Sequence, residues 1–258
     1  MKIKRVRLYD NSSENSLRVR KILIEKFTKL GIKICDKNYQ LAIAIGGDGT
    51  FLKAVHRYMD KLDSIAFFGI HTGTLGFFSD YTDKEFEEFV SNFLNAKPRV
   101  CEYQLLKVSV DDKVHYALNE MRVENVSRTQ KIDVEVDGED FERFSGTGLC
   151  VCTQLGSTAF NRSLNGAVIQ EGLPLIEMSE ISGIHNRYYR SLGSSIVMKE
   201  DAKIVFKSDD FSSAILCIDY LTYDLDDAKM IKIELSTKRV KILRYKDVGY
   251  FKRLKSLF

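Results

Sequence analysis

The sequence has no tryptophan, four histidines and no apolar run approaching the ~20 residues of a membrane span. So few histidines leave little room for a histidine-rich metal centre, and no metal-ligating cluster is expected. The five cysteines, Cys35, Cys101, Cys150, Cys152 and Cys217, are odd in number and scattered through apolar stretches. That is not a disulfide framework, and Cys150-Val151-Cys152 is C-x-C rather than C-x-x-C. Reduced thiols in the core of a cytosolic protein are the expectation. The N-terminal MKIKRVRLYD is basic but lacks an apolar core, so no signal peptide is expected. A net charge of +3 is too small to argue for nucleic acid. Internal repeats and low-complexity linkers are also missing. The expectation is a cytoplasmic protein with no nucleic-acid or membrane partner.

What is present is ordinary globular material: 258 residues, 44% hydrophobic and 29% charged, enough for one large or two modest domains. Residues 1–98 alternate strand and helix signals, which implies a mostly parallel sheet. Val6–Tyr9 reads as a strand. Asn11-Ser12-Ser13 can cap a helix whose apolar stripe is Leu17, Ile22, Leu23, Phe27 and Leu30, with Gly31 as its stop. Strands are expected at 41–45 and 64–70, and a helix at 50–58. Thr82-Asp83-Lys84-Glu85 fits a capping box before Phe86, Phe89, Val90 and Phe93. After Pro98 the period changes to two. Asp111-Asp112-Lys113 and Asp137-Gly138 look like hairpin turns. Further strands are expected at 148–153, 202–207, 213–219 and 229–235, with helical stretches near 157–164 and 174–182. Residues 99–235 thus read as a mainly antiparallel β domain. The tail, 236–258, is rich in lysine and arginine. It reads as a solvated basic face beside the apolar anchors Phe251, Leu254 and Phe258, in a segment that packs back on the N-terminal domain.

The chemistry concentrates where strands end. Leu41–Ile45 runs into Gly46-Gly47-Asp48-Gly49-Thr50, followed by a helix-compatible segment. Glycines let backbone N–H groups approach a ligand, and a helix N-terminus favours anions. A carboxylate there would repel phosphate, but it suits a hydroxyl about to attack one. A plain turn or N-cap aspartate is the alternative. The stretch Gly69-Ile70-His71-Thr72-Gly73-Thr74-Leu75-Gly76-Phe77 also follows a buried strand, so the two turns imply one extended pocket at the carboxyl ends of the strands. Thr72 and Thr74 can donate to phosphate. Phe77 or Phe78 can stack on adenine, although two phenylalanines in such a place are more often core. Asn119-Glu120 ends a strand-like run, where an amide and a carboxylate can read an adenine edge or ribose hydroxyls. Thr153–Ser163 again brings glycine and hydroxyl residues to a helix start.

Taken in order, GGDGT at 46–50, GIHTGTLGF at 69–77, Asn119-Glu120 and TQLGSTAFNRSLNGA at 153–167 resemble the NAD kinase family, and the resemblance extends through Arg190–Ser194 and Ile218–Thr222. It implies a Rossmann-like α/β domain joined to an antiparallel all-β domain. It implies phosphorylation of the 2′-hydroxyl of the adenosine ribose of NAD to give NADP. ATP or polyphosphate would be the donor and a divalent cation, Mg²⁺, the cofactor, in a homodimer or homotetramer. By matching position Asp48 would be the catalytic carboxylate. Gly46, Gly47, Gly49 and Thr50 would approach the donor phosphates, and Lys53 would serve the nucleotide. Asn119, Glu120, Thr158, Ala159 and Ser163 would hold NAD.

The chain departs from the family pattern at Thr147, where Gly-Asp-Gly becomes Gly146-Thr147-Gly148, and at Gln154-Leu155 in place of Pro-Thr or Pro-Ser. Phe160 replaces a tyrosine, keeping a stacking face, and Tyr220 stands where histidine is common. These changes fall on the nicotinamide side and imply altered affinity, or a shifted preference between NAD and NADH. Two other readings remain: a lipid kinase on the same fold, hinted at by the basic tail, and a dinucleotide sensor without turnover.

Overall fold

Five apolar residues with no charge among them, Leu41–Ile45, make a strand buried along its whole length, the pattern of a parallel strand covered on both faces. It lies in a computed structural model that describes residues 3–73, 76–225 and 227–257. The chain divides into two compact units, 1–103 with 238–258, and 104–237.

The first unit is α/β. It opens with β1 (Arg5–Asp10), α1 (Glu14–Lys29) and β2 (Lys33–Ile34), followed by β3 (Leu41–Ile45), α2 (Asp48–Arg57) and β4 (Ala66–His71). It continues through β5 (Ser79–Thr82) and α3 (Phe86–Asn95). β1 pairs in parallel with β2 and β3, β3 with β4, and β4 with β5. Ser13 caps α1 by accepting from the Ser16 N–H. The buried stripe of α1 is Ser16, Val19, Leu23 and Phe27. Leu23 and Phe27 are buried as expected, but Leu17 and Leu30 are exposed: Ser16 rather than Leu17 faces inward in the first turn, and Leu30 is the C-cap beyond the last turn. At 82–85 Glu85 reaches back to the Thr82 N–H at 2.9 Å, as a capping box requires, but the Thr82 hydroxyl donates to the same carboxylate instead of capping α3. Phe86, Phe89, Val90 and Phe93 are buried as expected and close over Phe27, Phe68 and Tyr81.

β6 (Arg99–Val110) carries the chain into the second unit, which is all β apart from short turns of helix. Its strands are β7 (Lys113–Ala117), β8 (Glu120–Glu124), β9 (Gln130–Val136), β10 (Glu139–Gly146) and β11 (Gly148–Thr153), with α4 (Phe160–Ser163) next. β12 (Ile176–Ile181), β13 (Ile196–Met198), β14 (Ile204–Lys207), β15 (Ile215–Ile218) and β16 (Leu221–Asp224) follow. β17 (Met230–Arg244) returns the chain to the first unit, where Ile242 pairs in parallel with Phe67, and α5 (Tyr250–Lys255) ends it. β13-β12-β11-β8-β15-β16 form one antiparallel sheet, while β10-β9-β14 run antiparallel onto β17. Their inner faces share one apolar core, including Val123, Val134, Phe144, Val151, Met178, Phe206 and Ile231. Asp137 and Gly138 take φ of 53° and 87°, the two-residue turn that the β9–β10 hairpin needs.

Two larger expectations fail as well. The segment 174–182 is the strand β12, not a helix; it is paired on both edges and nearly all buried, so it shows no alternation. The tail is not simply a solvated face. Arg244 and Arg253 are 3% and 1% exposed, whereas the supposed anchor Phe251 is 71% exposed. Phe258 lies outside the described residues.

Candidate active site

In the first unit the glycine loop sits at the carboxyl end of β3. Gly46 has φ of 154°, and a Cβ there would collide with the Thr50 side chain. Gly47 is the N-cap of α2 and makes no side-chain cap bond. Asp48 is therefore the first helical residue, two positions earlier than the sequence suggests, and it is not an N-cap. Its carboxylate turns instead to the 76–78 turn. Oδ2 accepts from the Phe77 N–H at 2.8 Å and Oδ1 from the Phe78 N–H at 3.1 Å. A carboxylate oxygen offers two lone pairs, so each retains one for a ligand hydroxyl. Asp48 is half-buried. Gly76 makes this approach possible, since a Cβ on it would overlap the Asp48 carboxylate. Gly49 is exposed, and a Cβ there would meet nothing. Thr50 is buried, and Lys53 lies on the exposed face of α2.

The aromatic reading of Phe77 needs correction. Phe77 and Phe78 are each 4% exposed. The Phe77 ring packs edge-on against Phe78 and Tyr250, and Phe78 stacks on Phe51 at 4.8 Å. Neither ring is open to an adenine; Phe77 contributes its backbone. The Thr72 hydroxyl lies 3.4 Å from that of Ser16, and Thr74 is outside the described residues. Nothing in the sequence singles out His71. Its Nδ1 accepts from the Gly73 N–H at 3.0 Å, so in the neutral ring Nε2 carries the proton.

In the second unit Asn119 and Glu120 form the corner where β7 gives way to β8 and the chain passes from one sheet to the other. Asp219, buried at the end of β15 with φ of 52°, holds this corner. Its carboxylate accepts from the N–H groups of Leu118 and Asn119, both at 2.8 Å, and of Glu120 at 3.2 Å. Gly156 packs its Cα against the Asn119 backbone so closely that no Cβ would fit. Asn119 Oδ1 and Glu120 Oε2 are buried and have no hydrogen-bond partner among the described residues. Buried polar atoms without partners are scarce in proteins, and these two ask for a ligand with donors. Burial, then the charge of Asp219, pushes the Glu120 carboxyl up to about 8.

A group whose pKa is raised on folding stabilises the fold fully below its unfolded value and loses that contribution as pH climbs through the folded value. For Glu120 the window runs from 4.5 to about 8. Urea unfolding of the ligand-free protein should therefore show Glu120→Gln gaining on the wild type between about pH 5 and about pH 8, on the order of 2–4 kcal/mol. A constant difference across that range would show that burial does not hold the proton on Glu120.

The 153–163 segment lies beside this corner. The Thr153 hydroxyl donates to Leu118 O at 2.7 Å, and the Phe160 N–H donates to the Glu120 carboxyl. The Phe160 ring lies 3.8 Å under the Arg122 guanidinium, which pairs with Glu124 at 2.6 Å. Arg122 is a neighbour that sequence reasoning missed, because nothing marks one arginine on a strand. Thr158 and Ser163 donate their hydroxyls locally, to Leu155 O and Phe160 O. Ala159 sits between the helical turns at φ −96°, ψ −125°. Thr147 is half-buried at the break between β10 and β11, its N–H bonded to Ile181 O at 3.0 Å.

Among the described residues no group of three His, Cys, Asp or Glu side chains is arranged to hold a metal ion, and no helix is long and apolar enough to cross a membrane.

The described geometry is thus a carboxylate held by two backbone amides at the first turn of a glycine-led helix, in an α/β unit that an all-β unit follows. Residues 4–97 match the family profile described as the ATP-NAD kinase N-terminal domain. An NAD kinase of Leuconostoc mesenteroides is 33% identical over 264 residues, covering 98% of each chain. The chain belongs to the NAD kinase family, and it is an enzyme of that family. Its fold is also that of yeast NADH kinase complexed with NADH, with a TM-score of 0.82 at 20% identity over 99% of this chain and 87% of that one. An NAD kinase from Archaeoglobus fulgidus in complex with ATP aligns with a TM-score of 0.77 at 23% identity, over 98% and 99%.

Proposed function

We propose that the enzyme moves a phosphoryl group from ATP, or from polyphosphate, to the 2′-hydroxyl of the adenosine ribose of NAD, giving NADP. The observation that carries this is the Asp48 carboxylate, fixed by the Phe77 and Phe78 N–H groups with a lone pair free on each oxygen. A carboxylate of pKa near 4 is a weak base for an alcohol. Phosphoryl transfer passes through a loose transition state, so the hydroxyl proton leaves late and an aspartate suffices. Asp48 orients the hydroxyl and accepts its proton as charge develops. The first N–H groups of α2 face the donor phosphates, and Gly49 keeps that approach clear.

Asn119 and Glu120 hold the dinucleotide through their unpartnered oxygens, with Thr158, Ala159 and Ser163 along the adjoining turn. Phe160, stacked under Arg122, presents its remaining face to a base. Thr147 serves the nicotinamide side with a hydroxyl in place of a charge. A divalent cation, Mg²⁺, arrives on the donor phosphates; the described residues form no cage for it, and no step here runs through it. The ATP of the A. fulgidus complex and the NADH of the yeast complex support these choices of donor and acceptor. A cytoplasmic homodimer or homotetramer is the assembly that the family resemblance supports.

The test is a product assay. Purified protein is given NAD or NADH, with ATP or polyphosphate and Mg²⁺, and the product is read with an NADP-specific dehydrogenase. NADP should accumulate with NAD and ATP. No product from any pairing would sink the proposal.

A further inference from the structure

The 76–80 turn that holds Asp48 is itself gripped from the far end of the chain. Arg253 of α5 is almost wholly buried, although Lys252 and Lys255 beside it are exposed. Its Nη1 donates to Ser79 O at 2.6 Å and to Phe77 O at 3.4 Å, and its Nη2 to Asp80 Oδ1 at 2.6 Å. Arg244, at the end of β17, donates to Asp80 Oδ1 at 3.1 Å and to Phe77 O at 3.2 Å. The second Asp80 oxygen accepts from the Tyr245 N–H at 2.9 Å.

The carbonyl of Phe77 and the N–H of Phe78 belong to one peptide group. That group is planar, so fixing its carbonyl fixes the direction of its N–H. Guanidinium donors on the carbonyl also polarise the peptide and strengthen the bond its N–H makes. The Phe78 N–H is one of the two that hold Asp48.

We propose that Arg253, together with Arg244, is a positioning residue for the Asp48 carboxylate, acting through the Phe77–Phe78 peptide. The proposal rests on the reading of Asp48 as the acceptor of the hydroxyl proton. The C-terminal helix is then part of the catalytic apparatus without touching substrate.

The test uses full-length Arg253→Gln, Asp48→Asn and their combination, with two readouts. In NMR spectra at neutral pH, Arg253→Gln should move the amide proton of Phe78 in the same direction as Asp48→Asn, and the double variant should move it no further. In steady-state assays Arg253→Gln should lower kcat by at least about tenfold in the wild type but by less than about twofold in the Asp48→Asn background. KM for NAD and ATP should stay within about twofold. If Arg253→Gln does not fold, Arg253→Lys, which keeps the cation and loses the fork, is read the same way. A Phe78 amide left at its wild-type position, or an equal kcat loss in both backgrounds, overturns the proposal. An Asp48→Asn variant with full turnover but a moved Phe78 amide would instead overturn the role of Asp48 and leave the clamp in place.

Discussion

Asp48→Asn should lower kcat by about 10²- to 10⁴-fold, the usual contribution of the positioned proton acceptor that Asp48 is proposed to be. The variant cannot accept from both backbone amides, because its NH₂ group is a donor facing a donor. The two bonds from Phe77 and Phe78 therefore become one, and stability falls by about 1–2 kcal/mol. Dissociation constants for NAD and ATP, measured by calorimetry, should change by less than about threefold, since the lost interaction belongs to the transition state. The combination is diagnostic. Lost turnover with retained binding and a modest drop in melting temperature assigns chemistry to Asp48. Retained turnover refutes that role, and lost binding would mean that the carboxylate only shapes the loop.

Asp219→Ala has the largest expected effect on the fold of the second unit. One carboxylate serves the N–H groups of Leu118, Asn119 and Glu120. Removing it strands three donors at a corner that water does not reach easily, at a combined cost on the order of 3–5 kcal/mol. Alanine also tolerates the positive φ of this residue less well than aspartate or asparagine, which adds about 1 kcal/mol. Asp219→Asn keeps one acceptor and the turn, and should lose less than half as much. Urea unfolding of the two variants separates these outcomes. If Asp219→Ala unfolds at the wild-type midpoint, the corner is not held by this carboxylate. KM for NAD should rise in the asparagine variant, because Asn119 and Glu120 are aimed by the same bonds.

The parts of the fold that local sequence controls were legible. β3 and its glycine loop follow from an uncharged apolar run and the residues that end it. The β9–β10 turn follows from Asp137-Gly138, and the buried face of α3 from the spacing of its aromatics. Sequence pattern misleads where the deciding partner is remote or the burial is two-sided. β12 is buried on both faces, so no period of two separates it from a helix. Arg253 looks like any basic residue of a solvated helix until its carboxylate is found 173 positions earlier. Asp219 reaches Asn119 across 100 residues, and only a lone acid at the end of an apolar strand hints at it. Between the stacking and core readings of Phe77, the sequence offers no local signal; the ring packs the turn. The glycine-rich strand–helix junction around Asp48 is legible, but not the two amides that hold its carboxylate.

Gly49 carries a last consequence. Alanine at this position would meet no neighbour and would favour the first turn of α2 by up to about 1 kcal/mol. On the proposed reading, the native residue leaves the helix weaker than it needs to be at the point where the donor phosphates would approach. Selection for heat resistance alone would drift toward filling that space, and catalysis would be the casualty.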